Sequence, residues 1–230
     1  MPIVLSHRGN LIGPSPSTEN GVPTLRAALW SGWGLETDIR RSPDGRFYVS
    51  HDQRPSPNGN AAEACTAIFR AHPTATIALN VKELGGEDAL IAFLEAEGVL
   101  AQTFLFDMEL VERRAGDTAR RFRDLHPTVR LAARVSDRGE TIDQALGIEV
   151  ASIIWLDEFD GPWSTECDIR RLKDAGRTVH AVSPDLHGAS FEQTRTRWKD
   201  FIRWGVDGIC TDYPAALDRY TKHVQREAAA

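Results

Sequence analysis

The chain has 230 residues, 41% hydrophobic and 26% charged, a composition that suits one globular unit with a sizeable core. Its formal charge of −6 argues against a protein held on nucleic acid by a basic surface. No uncharged apolar run approaches the roughly 18 residues of a membrane span. Met1-Pro2-Ile3-Val4-Leu5 lacks the basic start of a signal peptide, and the scattered Cys65, Cys167 and Cys210 support neither a disulfide framework nor a metal knuckle. The expectation is a single cytoplasmic domain over residues 1–230, with the cysteines as packing residues.

In chain order, short runs rich in Val, Ile, Leu or aromatics predict strands over residues 3–5, 35–39, 77–81, 103–106, 129–135, 152–156, 178–182 and 208–210. Helix-like stretches alternate with them. Residues 22–30 carry Pro23 in a first turn and Gly32 as a stop, and residues 88–97 are closed by Gly98. The turn signal Ser42-Pro43-Asp44-Gly45 predicts an extra strand over 46–50, folded back on the second strand as a hairpin; 13–17 and 55–60 read as loops.

Eight strand–helix units predict an α/β fold, a single TIM (β/α)8 barrel, whose usual length is roughly 250 residues; an open doubly wound sheet is the competitor. The barrel is favoured because nearly every strand ends in polar groups, where such barrels gather their chemistry. These are His7 and Arg8, Glu36 and Asp38, Asn80 and Lys82, Asp107, Arg134, Asp157, then Ser183 with Asp185 and His187, and last Asp212. For Asp107, Asp157 and Asp212 taken singly, capping of a buried strand explains the residue equally well.

Side chains alternate along a strand, so Glu36 and Asp38 share a face, as do Asn80 and Lys82, and in a closed barrel that face can be the lumen. Adjacent carboxylates there need a cation. One reading supplies a hard divalent ion, Mg²⁺ or Ca²⁺, since the donors are oxygens; the other pairs them with Arg8, Arg40 or Lys82 and holds no metal. Among seven histidines, His7 and His51 each end an apolar run and precede a charged residue. Two imidazoles beside a dicarboxylate can take a proton with one ring and give one with the other. With Arg8 and Lys82 to hold anionic oxygens, the set suits cleavage of a phosphodiester, whose leaving alkoxide needs an acid.

The sequence also resembles a family. Ser6-His7-Arg8-Gly9, Glu19-Asn20, Glu36-Thr37-Asp38, Asp44-Gly45, Ser50-His51-Asp52 and the closing Gly205-Val206-Asp207-Gly208-Ile209-Cys210-Thr211-Asp212-Tyr213-Pro214 are similar to the ordered motifs of glycerophosphodiester phosphodiesterases. The resemblance implies a TIM barrel of the phosphatidylinositol-phospholipase-C-like group that binds Mg²⁺ or Ca²⁺. It implies His7 and His51 as the acid–base pair, Arg8 as a phosphate ligand, Lys82 as a group that binds phosphate or stabilises the developing charge, and Glu36 and Asp38 as metal ligands. Asn80 stands where the family carries a third acidic ligand, so the metal site would keep an amide oxygen and lose a negative charge. Only about 25 residues separate His51 from the third strand, without the family's usual insertion, and His180-Ala181-Val182-Ser183-Pro184-Asp185-Leu186-His187-Gly188 replaces its usual strand-seven stretch.

The expected function is metal-dependent hydrolysis of a small phosphodiester, with Glu36, Asp38 and Asn80 around the ion and His7 and His51 moving protons. Trp155, just before the rim, and Asp185 and His187, after the seventh strand, are further candidate substrate contacts. Two alternatives stand: a cyclising lyase using a neighbouring substrate hydroxyl, and a barrel that binds a sugar-phosphate or headgroup without turnover. Arg134 is expected to pair with Asp107 or Asp137, and the tryptophans other than Trp155 to pack in the core.

Overall fold

The computed structural model describes residues 1–53 and 60–228; the loop expected at 55–60 lies, but for Asn60, outside them. Strands and helices alternate from β1 (Ile3–His7) through α1 (Val22–Trp30), β2 (Gly34–Arg41), β3 (Phe47–Val49), α2 (Ala62–Arg70), β4 (Ile77–Val81), α3 (Glu87–Ala96) and β5 (Thr103–Phe106). They continue through α4 (Asp117–Leu125), β6 (Arg130–Ser136), α5 (Ile142–Leu146), β7 (Ile153–Asp157), α6 (Glu166–Asp174), β8 (Thr178–Val182), α7 (Phe191–Trp204), β9 (Gly208–Thr211) and α8 (Pro214–Ala228). Hydrogen bonding runs β1-β9-β8-β7-β6-β5-β4-β2, and the β1–β2 pairing closes the ring. Eight parallel strands with intervening helices make a TIM barrel. β3 lies outside the ring, antiparallel to β2, with Ile39 opposite Val49 and Arg41 opposite Phe47, the hairpin the Pro-Asp-Gly turn predicts.

Burial on both faces explains the strand composition: a parallel strand covered by helices outside and side chains inside reads as a continuous apolar run. The larger core lies between ring and helices, with Leu25, Leu35, Ile77, Leu131, Ile154, Ile209 and Trp198 among its buried members. The lumen is filled by a second set that includes Leu5, Phe104, Phe106, Ile153, Trp155, Val182 and Cys210. His180 also lies in this aromatic packing, its ring 5.1 Å from that of Phe104, and Gly208 on the neighbouring strand leaves the space it needs. Two packing expectations fail at the surface. Trp30 is 72% exposed, with Arg26 over its ring, because it ends α1 on the solvent side, and Cys167 is exposed on α6. No helix among the described residues is long and apolar enough to cross a membrane.

Candidate active site

Strand register brings the polar strand ends together. β1 and β2 pair His7 with Glu36, β2 and β4 pair Asp38 with Asn80, and β1 and β9 pair Ser6 with Thr211, which sets His7 beside Asp212. A cavity of about 380 Å³ opens at this end of the barrel. Its wall includes eight of the ten residues expected at the site: His7, Arg8, Glu36, His51, Asn80, Lys82, Trp155 and His187. Imidazoles far apart in sequence thus meet carboxylate and cation at one mouth.

His7 is held firmly. Its Nδ1 lies 2.7 Å from Asp212 Oδ1, which also accepts from Asn10 Nδ2 at 2.7 Å. Its Nε2 stands 3.8 Å from Glu36 Oε2. Burial disfavours the imidazolium, but Asp212 and Glu36 outweigh it and raise the His7 pKa; burial in turn opposes the Asp212 carboxylate, which His7 and Asn10 keep below the usual range. His51 is the looser partner, 43% exposed against 14% for His7, with Nδ1 2.8 Å from Asp52 Oδ1. Its backbone carbonyl accepts from Arg40 Nε and Nη2, at 3.0 and 2.7 Å, which ties the segment after β3 to β2.

Glu36 and Asp38 part company. Asp38 does not line the cavity: Lys82 Nζ lies 2.9 Å from it, Arg8 Nε 3.2 Å, and Asn20 Nδ2 donates at 2.9 Å. Burial would lift its pKa, yet Lys82, Arg8 and Asn20 hold it below the usual range. The expected metal ligand therefore sits in an ion-pair cluster with Lys82 and Arg8, the alternative pairing read from the sequence. Glu36 Oε2 and Asn80 Oδ1 are buried oxygens without a hydrogen-bond partner, both on residues of the cavity wall. Burial, reinforced by Asp38, pushes the Glu36 carboxyl up to about 7. Two such oxygens fit a hard cation at part of the expected site, although no group of three His, Cys, Asp or Glu side chains arranged to hold a metal occurs among the described residues.

The segment after β1 is built for this cluster. Arg8 and Asn20 have positive φ, 50° and 58°, a region that Asn tolerates and Arg rarely adopts, so the turn is constrained at Arg8. Asn20 N donates to Arg8 O at 2.7 Å, while Thr37 Oγ1 donates to Asn20 Oδ1 at 2.7 Å. Gly9 cannot be replaced freely, since a Cβ there would come within 2.9 Å of Leu25 N.

Across the cavity, Asn80 Nδ2 donates to Asp107 Oδ2 at 2.8 Å, and Arg134 bridges Asp107 to Asp157, the latter at 2.6 Å. Arg134 is thus paired with Asp107 as expected and with Asp157, not with Asp137, whose oxygens cap the backbone N–H groups of Phe159 and Asp160. Asp157 Oδ1 lies 2.6 Å from His187 Nε2. Trp155 packs against Phe106 at 4.2 Å between ring centroids and contributes to the cavity floor. Asp185 does not reach the cavity: its carboxylate accepts from Ser183, from Thr211 Oγ1 at 3.0 Å and from Asp212 N at 2.8 Å. It braces the turn after β8, correcting the expected substrate contact. The residues missed as functional partners are Asp212 and Asp157. Both stood among the strand-end carboxylates, and Asp212 lay within the closing motif.

The same fold is found in known structures. A glycerophosphodiester phosphodiesterase from Parabacteroides distasonis is 16% identical, with 97% of this chain and 98% of that one covered and a TM-score of 0.74. A phosphodiesterase from Oleispira antarctica, solved with its product sn-glycerol-3-phosphate, is 17% identical over 96% and 97% of the two chains, with a TM-score of 0.70. A mutant tryptophan synthase α-subunit from Pyrococcus furiosus is similar at a TM-score of 0.58, 16% identical over 94% and 88%. No family model matches the sequence, and no curated protein is significantly similar to it. At these identities the likeness establishes the barrel, and a barrel shared with a tryptophan synthase subunit leaves chemistry to the site.

Proposed function

We propose that this protein hydrolyses a small phosphodiester of the glycerophosphodiester kind. The observation that carries the reading is the shared cavity, in which His7 and His51 stand with Arg8, Lys82 and the unsatisfied oxygens of Glu36 and Asn80. The solved phosphodiesterases that share the fold, one of them holding sn-glycerol-3-phosphate, support it.

Arg8 and Lys82 bind the phosphate oxygens, kept in place by Asp38 behind them. His7 Nε2 takes a proton from the water that attacks phosphorus, because Asp212 on Nδ1 stabilises the resulting imidazolium. His51, on the solvent side, returns a proton to the leaving oxygen. Trp155 forms an apolar floor under the substrate, and His187 contacts it from the far wall. Glu36 and Asn80 would hold a Mg²⁺ or Ca²⁺ ion, with Asp38 joining only in exchange for Lys82. Such an ion supplies charge neutralisation at the phosphate oxygens.

The test is a panel of glycerophosphodiesters, lysophospholipids and phosphoinositides, assayed with Mg²⁺, Ca²⁺ or chelator. Alcohol release that chelation abolishes is expected, with His7→Ala and His51→Ala each losing roughly 10² to 10⁴ in rate. A loss below tenfold in both overturns the acid–base assignment, and undiminished turnover under chelation removes the ion. A stable cyclic ester in the ³¹P spectrum gives the cyclising reaction instead. Asn80 favours one further alternative, a barrel that binds phosphate esters without turnover, which predicts binding that survives His7→Ala.

A further inference from the structure

A second cleft, of about 240 Å³, adjoins the main cavity and shares Phe159 and His187 with it. It lies between the segment after β7 and the one after β8, and its wall includes Gly161, Pro162, Pro184 and Ala189. Both of its sides are fixed. On the β8 side, the turn Pro184–His187 is clamped by Asp185 to Thr211 and Asp212, and Ser183 accepts from Trp198 Nε1 at 2.7 Å. On the β7 side, buried Glu158 binds Arg197, Ser164 Oγ at 2.8 Å and Ser164 N at 3.0 Å. His187, at the junction, is locked through Nε2 by Asp157, while its Nδ1 has no protein partner among the described residues. With Nε2–H given to Asp157, Nδ1 of this rigid imidazole can accept from a hydroxyl or an ammonium, or, when protonated, donate to an anion.

The charges decide between ligand classes. The cleft wall carries Glu158 and Asp160 and no Lys or Arg, so a second anionic group is disfavoured. A quaternary or primary ammonium would seek the Phe159 ring or the two carboxylates, but the Arg134 and Arg138 guanidinium carbons already lie 5.0 and 4.1 Å from the ring centroid, Glu158 is held by Arg197, and Asp160 is paired with Arg138 at 3.2 Å. What remains is an uncharged hydroxylated alcohol.

Resting on the phosphodiesterase reading, we propose that this cleft receives the second alcohol of the diester, that this alcohol is a neutral polyol rather than an amino alcohol, and that His187 Nδ1 binds one of its hydroxyls. His187 is then a specificity-determining residue. A hydrogen bond to a site built for it discriminates by about tenfold to a hundredfold against a ligand that cannot make it.

The experiment compares bis-glycerol phosphodiester with glycerophosphocholine and glycerophosphoethanolamine as substrates, reading kcat/KM ratios in wild type, His187→Ala and Ala189→Trp. The second variant fills the cleft without touching the Asp157–His187 pair. A preference for the bis-glycerol diester of tenfold or more is expected in wild type, collapsing to within threefold in both variants. A wild-type ratio at or below one, or a ratio that both variants preserve, overturns the proposal. Should none of the three diesters be turned over, the phosphodiesterase reading fails, and calorimetric affinities for the same compounds read the same ratio and decide the cleft separately.

Discussion

At the scale of single residues, the arrangement turns on which atom of each imidazole is already engaged. His7 gives Nδ1 to Asp212, and Asp212 is oriented in turn by Asn10 Nδ2 on its side chain and by Asp185 on its backbone N–H. An outer carboxylate of this kind fixes both the tautomer and the direction of the ring, and its loss typically lowers activity by about tenfold to a hundredfold. Asp212→Asn is therefore expected to cut kcat in that range while leaving KM nearly unchanged, since the amide keeps the shape and removes the charge that stabilises the imidazolium. The imidazole NMR signals of His7 should move with it. A drop in KM-limited binding alone, with kcat intact, would make Asp212 a strand cap and nothing more.

At the scale of elements, the strands were readable because each is a buried apolar run bounded by turn signals; 77–81, 103–106 and 178–182 occur as read. The polar residue types at the strand ends were readable too. Which carboxylate meets which imidazole was not, because it depends on ring closure and register: β1 must pair with β9, at the other end of the chain, before Asp212 can reach His7. The same non-local dependence left open whether Asp38 meets a metal or, as the alternative reading had it, Arg8 and Lys82, and it turned Asp185 from a substrate contact into a brace. Register also explains Gly208, which a reading of the closing motif alone leaves unassigned. A Cβ there would fall inside contact distance of the His180 ring on β8. Gly208→Ala should cost about 1–3 kcal/mol by overpacking the lumen, read as a lower urea midpoint at unchanged m. Pairing it with His180→Ala should recover part of that loss. Equal losses in the single and double variants would place the strain elsewhere.

At the scale of the whole molecule, two buried groups outside the catalytic cluster give the fold opposing responses to pH. His180 lies in the lumen with Nδ1 unpartnered, and burial lowers its pKa from 6.5 to about 4. The unfolded chain binds a proton there that the native one refuses, so its contribution to stability is fully present above 6.5 and is lost as pH falls toward 4. Glu109 behaves in the opposite sense. Burial pushes its carboxyl from 4.5 up to about 7, so its contribution is present below 4.5 and is lost as pH rises through 7. Each amounts to about 3 kcal/mol over its window, at roughly 1.4 kcal/mol per pKa unit. Between pH 4.5 and 6.5 the two slopes cancel, so wild-type stability alone cannot reveal either. The difference between wild type and a variant isolates one group at a time, because every other titration is common to both. The stability of His180→Leu relative to wild type should therefore rise by about 3 kcal/mol from pH 7 to pH 4, whereas that of Glu109→Gln relative to wild type should rise by a similar amount from pH 4.5 to pH 7. Urea titrations at half-unit pH steps would measure both. A flat difference for His180→Leu would mean that the lumen admits a proton or a water beside the ring, and that its aromatic packing is not sealed.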